Sequence, residues 1–481
     1  MSAAERRTNI GGWDLSGLSG DSPRLDLGSD PVLGRLACPP LTRFDLHDGT
    51  SEPFVLKAVT TPKATEWKFQ IRPGVTWWSG APVTSADVSA FVRQELDGDL
   101  QATVGPFFEI PASTISAGSD GSVTVRWTKS PAFGPFVFNG ISLWRKVPVR
   151  QLSASGLPYE CAGRYAPVRA TTDKSQEISF DPTKSSGGAK RFLRFSSVGA
   201  KGDGVSFLSA RAALEQKGAF ALKESGACRS KLDLPAVTLI VWNSHSELLK
   251  DPAVRKLFTQ ITPRGEILRT GAGGFGDLLP GPIPRNHPGF ASSLKVRPFA
   301  IEDAAAGMER LGYRRSSPEK PRLDKSGTPM TLKLATQSDS AGFVEKIVTD
   351  SFSAIGIDAK TEVIRPEALA TYDGVFDEWR LPWGAMDMIQ ELHSKSMRTP
   401  WKGLLPANDS LDKNLLDYSQ SISLGKPDFH ALQRVGEILF QLEPFTVLMQ
   451  HRVCLNLADG LTAASPNVDT RDPDWFWQMI Q

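Results

Sequence analysis

The residues able to do chemistry are spread thinly along the chain. Its six histidines, His47, His245, His287, His393, His430 and His451, are scattered. None falls in the His-Glu-x-x-His spacing that aims two imidazoles from one helix at a metal ion. Gly271 to Gly276 (GAGGFG) has the look of a phosphate loop, but it lacks the Lys-Ser/Thr ending. The prolines that follow it forbid the helix whose N-terminus would hold the anion, so a loop is expected there. Ser317-Pro318-Glu319-Lys320 matches Ser-x-x-Lys in letters only. A nucleophile and base at that spacing meet across one helical turn, and Pro318 and Pro321 favour a loop. There is no Gly-x-Ser-x-Gly elbow. With 53 acidic residues in the chain, a carboxylate pair for acid/base work arises by chance and picks out no site. What remains is chemistry of recognition. Trp379, Arg380, Trp383 and Asp387 gather two stacking faces, a planar cationic fork suited to carboxylate or phosphate, and an anchor for a cation within nine positions. The plain alternative is that Trp379 is core and Arg380 makes a surface ion pair.

The elements that must position these residues can be read from periodicity. Trp67, Phe69 and Ile71 alternate with polar residues as one face of a strand, Pro73-Gly74 turns the chain, and Ser122 to Trp127 is a further strand. Trp77 and Trp78 are adjacent, so on a strand they would face opposite sides, one buried and one partly exposed. Core packing is the stronger expectation for both. Between these strands Thr84 and Asp87 read as a capping box, followed by Val88, Phe91, Val92 and Leu96 at helical spacing. Residues 150–235 read as loop-rich, with a helical stretch near Leu208 to Lys217.

The texture then changes. Ala236 to Trp242 is a continuous apolar run suited to a strand buried on both faces. Asp251 caps a helix with Pro252 at its first position, and Val254, Leu257, Phe258 and Ile261 form its stripe before Thr262-Pro263 interrupts it. Glu302 to Leu311 is a helix closed by Gly312. A strand at Met330 to Leu334, a helix through Phe343 to Phe352 ended by Gly356, and a strand at Ala359 to Ile364 make a βαβ unit with a parallel pair. A helix over 427–442 and a strand from Phe445 to Leu457 complete the chain.

Composition sets limits. The 481 residues suggest two or three domains. Lys plus Arg number 55 against 53 for Asp plus Glu. That balance offers nothing for phosphate backbones to hold, and no nucleic-acid partner is expected. No apolar run approaches the ~20 residues that cross a bilayer. Met1 to Asn9 is polar and precedes no apolar leader core; either a leader has been removed or the protein works in the cytoplasm. The four cysteines, Cys38, Cys161, Cys228 and Cys454, lack CxxC spacing. A Cys161–Cys228 bridge and buried free thiols are both open readings.

One stretch is distinctive. Trp67 to Val92 (WKFQIRPGVTWWSGAPVTSADVSAFV) resembles the signature of the peptide/nickel class, family 5 or cluster C, of extracellular solute-binding proteins of ABC importers. That signature has a Trp-x-Phe-x-x-Arg strand, Pro-Gly-Val, an aromatic, a Gly, Pro-Val-Thr, and Asp-Val opening a helix. Weaker segments follow in the family's order: Lys250 to Leu268 with its Asp-x-x-Val-Arg helix, Glu302 to Tyr313 ending in Gly-Tyr, and Tyr372 to Trp379 with its Tyr-Asp…Trp strand. The match spans roughly residues 30 to 460.

The resemblance implies an α/β type II periplasmic-binding-protein fold, with two α/β lobes, a hinge and an inserted β-rich third domain. Lobe I would comprise 1–51, 150–238 and 452–481, the insert 52–149, and lobe II 239–451. It implies capture of a peptide-like or other small polar solute in the inter-lobe cleft for delivery to an ABC importer permease. The protein would be a periplasmic or extracytoplasmic monomer, without cofactor, metal or catalysis. Trp379, Arg380, Trp383 and Asp387 would then be the residues to meet the ligand. In relatives that hold peptides, an Asp shortly after the Tyr-Asp…Trp strand pairs with the ligand's amino terminus. Here the aligned places carry Leu381 or Pro382 and Asp387 falls later, so a generic α-amino peptide is not carried over. Two rival functions are a ligand sensor of the same fold, in the cytoplasm or periplasm, and an enzyme that has borrowed the fold.

Overall fold

The computed structural model describes residues 6–11, 38–45, 50–146, 159–163, 165–172, 175–182, 191–196, 204–208 and 230–457, the last stretch less 272–273, 275, 286, 337–341, 381–386 and 397–400. Two sheets organise it. Four strands, β4 (Leu56–Lys63), β5 (Glu66–Ile71), β6 (Ser113–Ala117) and β7 (Ser122–Trp127), form an antiparallel sheet in the order β4-β5-β7-β6. Trp67, Phe69 and Ile71 point to one buried face as their alternation requires. Trp67 packs edge-on against Trp127 and Phe133, with centroids 4.7 and 5.8 Å away. Helix α1 (Ser85–Asp97) covers this sheet and opens with the expected capping box, Thr84 and Asp87 satisfying each other's backbone N–H. A short helix, α2 (Asp99–Thr103), follows.

Trp77 and Trp78 are both buried, as core packing requires, and neither shows the partial exposure expected of one of them on a strand. They lie in a turn region after β5, so the two-sided geometry of a strand does not apply to them. The Arg145 guanidinium sits over the Trp77 ring at 4.5 Å, and Trp78 packs on Tyr159 at 6.2 Å.

The larger sheet has ten strands in the order β10-β11-β12-β1-β13-β18-β14-β17-β15-β16. One end is built from β1 (Arg6–Gly11), β10 (Tyr165–Thr172), β11 (Ser175–Pro182), β12 (Arg191–Ser196) and β13 (Gly204–Leu208). The loop-rich reading of 150–235 is thereby corrected, since four of these paired strands lie within it; Leu208 ends a strand, and residues 209–217 of the expected helical stretch lie outside the described residues. The other end is built from β15 (Thr331–Thr336), β16 (Asp358–Val363) and β17 (Gly374–Arg380). The expected βαβ unit is present: β15 and β16 run parallel, joined through helix α6 (Phe343–Ala354). Joining the two ends are β14 (Ser230–Trp242) and β18 (Phe445–Leu457), each 13 residues long.

The continuous apolar run in β14 is explained by cover on both sides. Ile240 and Trp242 enter one core with Val254 and Phe258 of α3 (Pro252–Ile261), Met308 of α5 (Ile301–Arg310) and Phe352 of α6. Val237, Leu239 and Val241 enter another with α7 (Asp387–Leu392), α8 (Asp409–Ser423) and α9 (Phe429–Leu442). That second core is continuous with the interior of the four-stranded sheet, so the inserted sheet is seated on α8. A helix over 409–423 was not expected from the sequence. Its signal was there: Asn408 caps it, and Leu411, Leu415, Tyr418 and Ile422 recur at helical spacing on its buried face.

In the matched Asp-x-x-Val-Arg segment the structure gives Arg255 a reason. The turn Arg264–Glu266 (α4) follows it. The Arg255 guanidinium is buried and donates to the Leu442 and Glu443 carbonyls at the end of α9, with Glu443 in a left-handed conformation (φ 47°). Helix-end carbonyls have no partner within their own helix, and a buried arginine supplies several donors at once.

The cysteine reading needs correction. Cys161 is bridged to Cys38, 123 positions away, and not to Cys228, which lies outside the described residues. Proximity set by the fold decided the pair: β8 (Trp144–Lys146) and β9 (Tyr159–Cys161) bring Cys161 beside the segment preceding β2 (Thr42–Asp45), which pairs with β3 (Thr50–Pro53).

Candidate functional site

The place where the two ends of the ten-stranded sheet join is marked in the backbone. β14 pairs with β18 through Ser230–Asp233 and again through Val237–Val241, with a register shift between Asp233 and Val237. Pro235 lies in that interval. Proline has no N–H to give a ladder and is tolerated at such irregularities. Around it sit polar groups unusual for a sheet centre. Arg452 of β18 bonds Asp233 of β14 and reaches Asp277 at 3.0 Å. Thr238 Oγ1 and His451 Nε2 are 2.6 Å apart. The Asp233 contact comes first among the causes holding the Arg452 guanidinium above its ordinary range.

Two of the sequence candidates, Trp379 and Arg380, lie on the strand next to this region. Arg380 is the last residue of β17, and its Cα pairs with Ala236, beside the irregularity. Trp379 pairs with Val237 and is fully buried. Its indole N–H is taken by the Glu391 carboxylate and its ring lies 5.8 Å from that of Trp401. The Trp401 indole in turn donates to the buried Asp377 at 2.8 Å. Trp379 is thus fixed by protein groups and shows no open stacking face in this conformation. Trp383 lies outside the described residues, and Asp387 opens α7, seven positions beyond the strand end. The strand end and the last turn of α7 are therefore tied together through Trp379 and Glu391.

A histidine that sequence reasoning left aside sits nearby. His393 follows α7 and is buried. Its Nδ1 accepts the Lys395 backbone N–H at 3.0 Å, which places the ring proton on Nε2. Burial pushes its pKa down, against the pull of Asp412 at 3.4 Å. Its ring lies 5.0 Å from Phe107 of the inserted unit. Among the described residues no group of three or more His, Cys, Asp or Glu side chains is placed to hold a metal ion. Among them, too, no helix is long and apolar enough to cross a membrane.

Comparison with known proteins agrees with this architecture. Residues 205–414 match the model of the bacterial extracellular solute-binding proteins, family 5 Middle. No curated protein sequence matches the chain. Among solved structures, the oligopeptide-binding protein AppA from Bacillus subtilis, in complex with a nonapeptide, is 15% identical, with TM-score 0.67 and 98% of each chain covered. NikA from Brucella suis, in complex with Fe(III)-EDTA, is 16% identical, with TM-score 0.70, covering 94% of this chain and 95% of its own. NikZ from Campylobacter jejuni, in complex with Ni(L-His), is 13% identical, with TM-score 0.69, covering 98% and 99%. The fold is the α/β type II binding-protein fold. The middle region of the chain, residues 205–414, is thus similar to the family 5 bacterial extracellular solute-binding proteins, and the whole length shares the fold of the binding proteins named above.

Proposed function

We propose that this protein captures a peptide-like or other small polar solute between two lobes and delivers it to an ABC importer permease, without catalysis. The observation that carries the reading is the pair of 13-residue strands, β14 and β18, shared by both ends of the large sheet and broken in register between Asp233 and Val237. Two continuous strands with a local defect at their crossing can serve as a hinge, and hinge motion is of the kind that encloses ligands. The lobe division follows: 1–51, 150–238 and 452–481 as the first lobe, 52–149 as the insert, 239–451 as the second.

In this reading Arg380, Trp383 and Asp387 face the solute, and Trp379 holds the strand end that presents them. Arg380 favours a solute with an anionic group. The Cys38–Cys161 bridge supports an oxidising, extracytoplasmic site of action. The near-balanced charge, +2 overall, supports the absence of a nucleic-acid partner. The chain acts as a monomer.

A thermal-shift screen with di- to pentapeptides, sugars, organic acids and nickel–histidine chelates tests the proposal, since a ligand of the folded state raises its melting temperature. A saturable shift with one class, returned unaltered after incubation, is expected. Turnover of any compound, or no shift across all classes, would count against solute capture.

A further inference from the structure

From Leu239 to Trp242, β14 is buried on both faces, and one row nearer the register shift breaks that pattern. β17, β14 and β18 lie side by side. On one face Phe376, Ile240 and Leu448 are buried beneath α3, α5 and α6. The next row on that face, toward the shift, holds Glu378, Thr238 and His451. Glu378 and Thr238 are direct partners across β17 and β14, and Thr238 Oγ1 lies 2.6 Å from His451 Nε2 on β18. All three are half-buried. On the opposite face at the same level, Val237 and Trp379 are wholly buried and Gln450 is 1% exposed.

We propose that Glu378, Thr238 and His451 form a subsite on the floor of the cleft that takes a protonated amine of the solute; the inference rests on the solute-capture reading and names a chemical group for it. Three observations support it. First, solvent reaches the middle of an interior strand from one face alone. A residue with hydrogen-bonded strands on both sides is exposed only where nothing packs fully on its face. The row therefore marks a recess over the sheet and not a sheet edge. Second, Thr238 is the only polar residue in the apolar run Ala236 to Trp242. The one hydroxyl of the run stands where its cover ends.

Third, the row carries acceptors suited to a cation. Glu378 brings a carboxylate to a partly desolvated place, where its attraction for a cation exceeds that in open water. Thr238 Oγ1 shares one hydrogen with His451 Nε2, and a hydroxyl with one bond made keeps at least one lone pair for an ammonium N–H. His451 holds that hydroxyl from the side away from Glu378. Glu378 and Arg380 stand two positions apart on β17. With Arg380 taking an anionic group, the two residues call for a zwitterionic solute. The β18 side of the row is walled. Met449, the β18 partner of Thr238, packs against Leu268 of the π-turn Ile267–Gly271. Such irregular turns gather at functional positions.

The test is calorimetry on the full chain with alanyl-alanine, lysyl-alanine and γ-aminobutyrate, each beside its fully N-acetylated counterpart, and with any ligand the thermal-shift screen yields. The parent protein should bind at least one amine and lose at least about tenfold in affinity when that amine is acetylated. Glu378→Gln keeps the size of the side chain and removes its charge. It should weaken the amine at least about tenfold and leave the acetylated compound unaffected. If circular dichroism and thermal unfolding show that Glu378→Gln does not fold, Thr238→Val decides. It keeps the branched shape, removes the oxygen and should weaken the amine at least about threefold. Equal affinity of variant and parent for the amine overturns the subsite. So does a saturable ligand that carries no amine. Either result leaves solute capture standing, whereas no binding by any compound counts against both.

Discussion

The Arg452 guanidinium lies 3.0 Å from the Asp277 carboxylate and also bonds Asp233. One cation on β18 thus bridges β14, just before its register shift, and the segment that follows the glycine-rich run. Asp277 and Gln450 add a reciprocal pair of backbone bonds beside it. The GAGGFG run therefore leads the chain into a contact with a crossing strand, which fits its expected role as a connecting loop.

Replacing that cation should loosen the crossing. Arg452→Met leaves Asp233 and Asp277 without their shared partner. All three side chains keep some solvent, so a loss of about 1 kcal/mol is expected, shrinking in high salt. Urea unfolding at low and high ionic strength reads it. An unchanged midpoint at low salt would show that the bridge contributes nothing to the fold.

Arg380 should matter for binding and not for folding. Arg380→Ala is expected to weaken capture of an anionic solute at least tenfold, about 1.4 kcal/mol, by calorimetry. Equal affinity in variant and parent would take Arg380 out of the site.

The Cys38–Cys161 bridge closes a long stretch of chain and should stabilise by ~2–4 kcal/mol. Cys38→Ala/Cys161→Ala, or full reduction of the parent protein, should lower the denaturant midpoint accordingly. A Cys228→Ser variant should retain the bridge, as peptide mapping under non-reducing conditions would show; its loss there would reopen the pairing.

Glu95 gives the protein a pH signature. It lies on the buried face of α1, and burial, with Asp99 adding repulsion, pushes its pKa up to about 7. The folded state then holds this proton more tightly than the unfolded chain, whose glutamate titrates near 4.5. Between those values the folded state binds more protons, so stability falls as pH rises from about 4.5 to 7 and levels off above. Glu95→Gln should flatten that decline and stabilise the protein at pH 8 by ~1–3 kcal/mol. Parallel denaturation curves for parent and variant at pH 5 and pH 8 would dismiss it.

Much of the fold was legible because local rules and burial agreed. The Thr84–Asp87 box, the Asp251-Pro252 start, the Gly312 and Gly356 stops and the two-sided run in β14 each carried a physical signature in a few neighbouring residues. Where they disagreed, tertiary contact decided. Trp78 is buried because Tyr159 and the Cys161 segment cover it, which no local alternation reveals. The helix over 409–423 hid behind its hydroxyl-rich face, since Ser419 and Ser423 are buried among the apolar positions, Ser423 against Gly134 of the insert.

The sequence by itself determined the strands and helices of 66–97 and most of those of 236–364, and the likeness to solute-binding proteins, because these are written in spacing and short motifs. Only the tertiary structure decided that Cys161 meets Cys38, that Trp379 is held by Glu391 and Trp401, and that Gly134 must be bare for α8 to approach. Those facts depend on segments hundreds of positions apart arriving at one point, and no periodicity records a meeting of that kind.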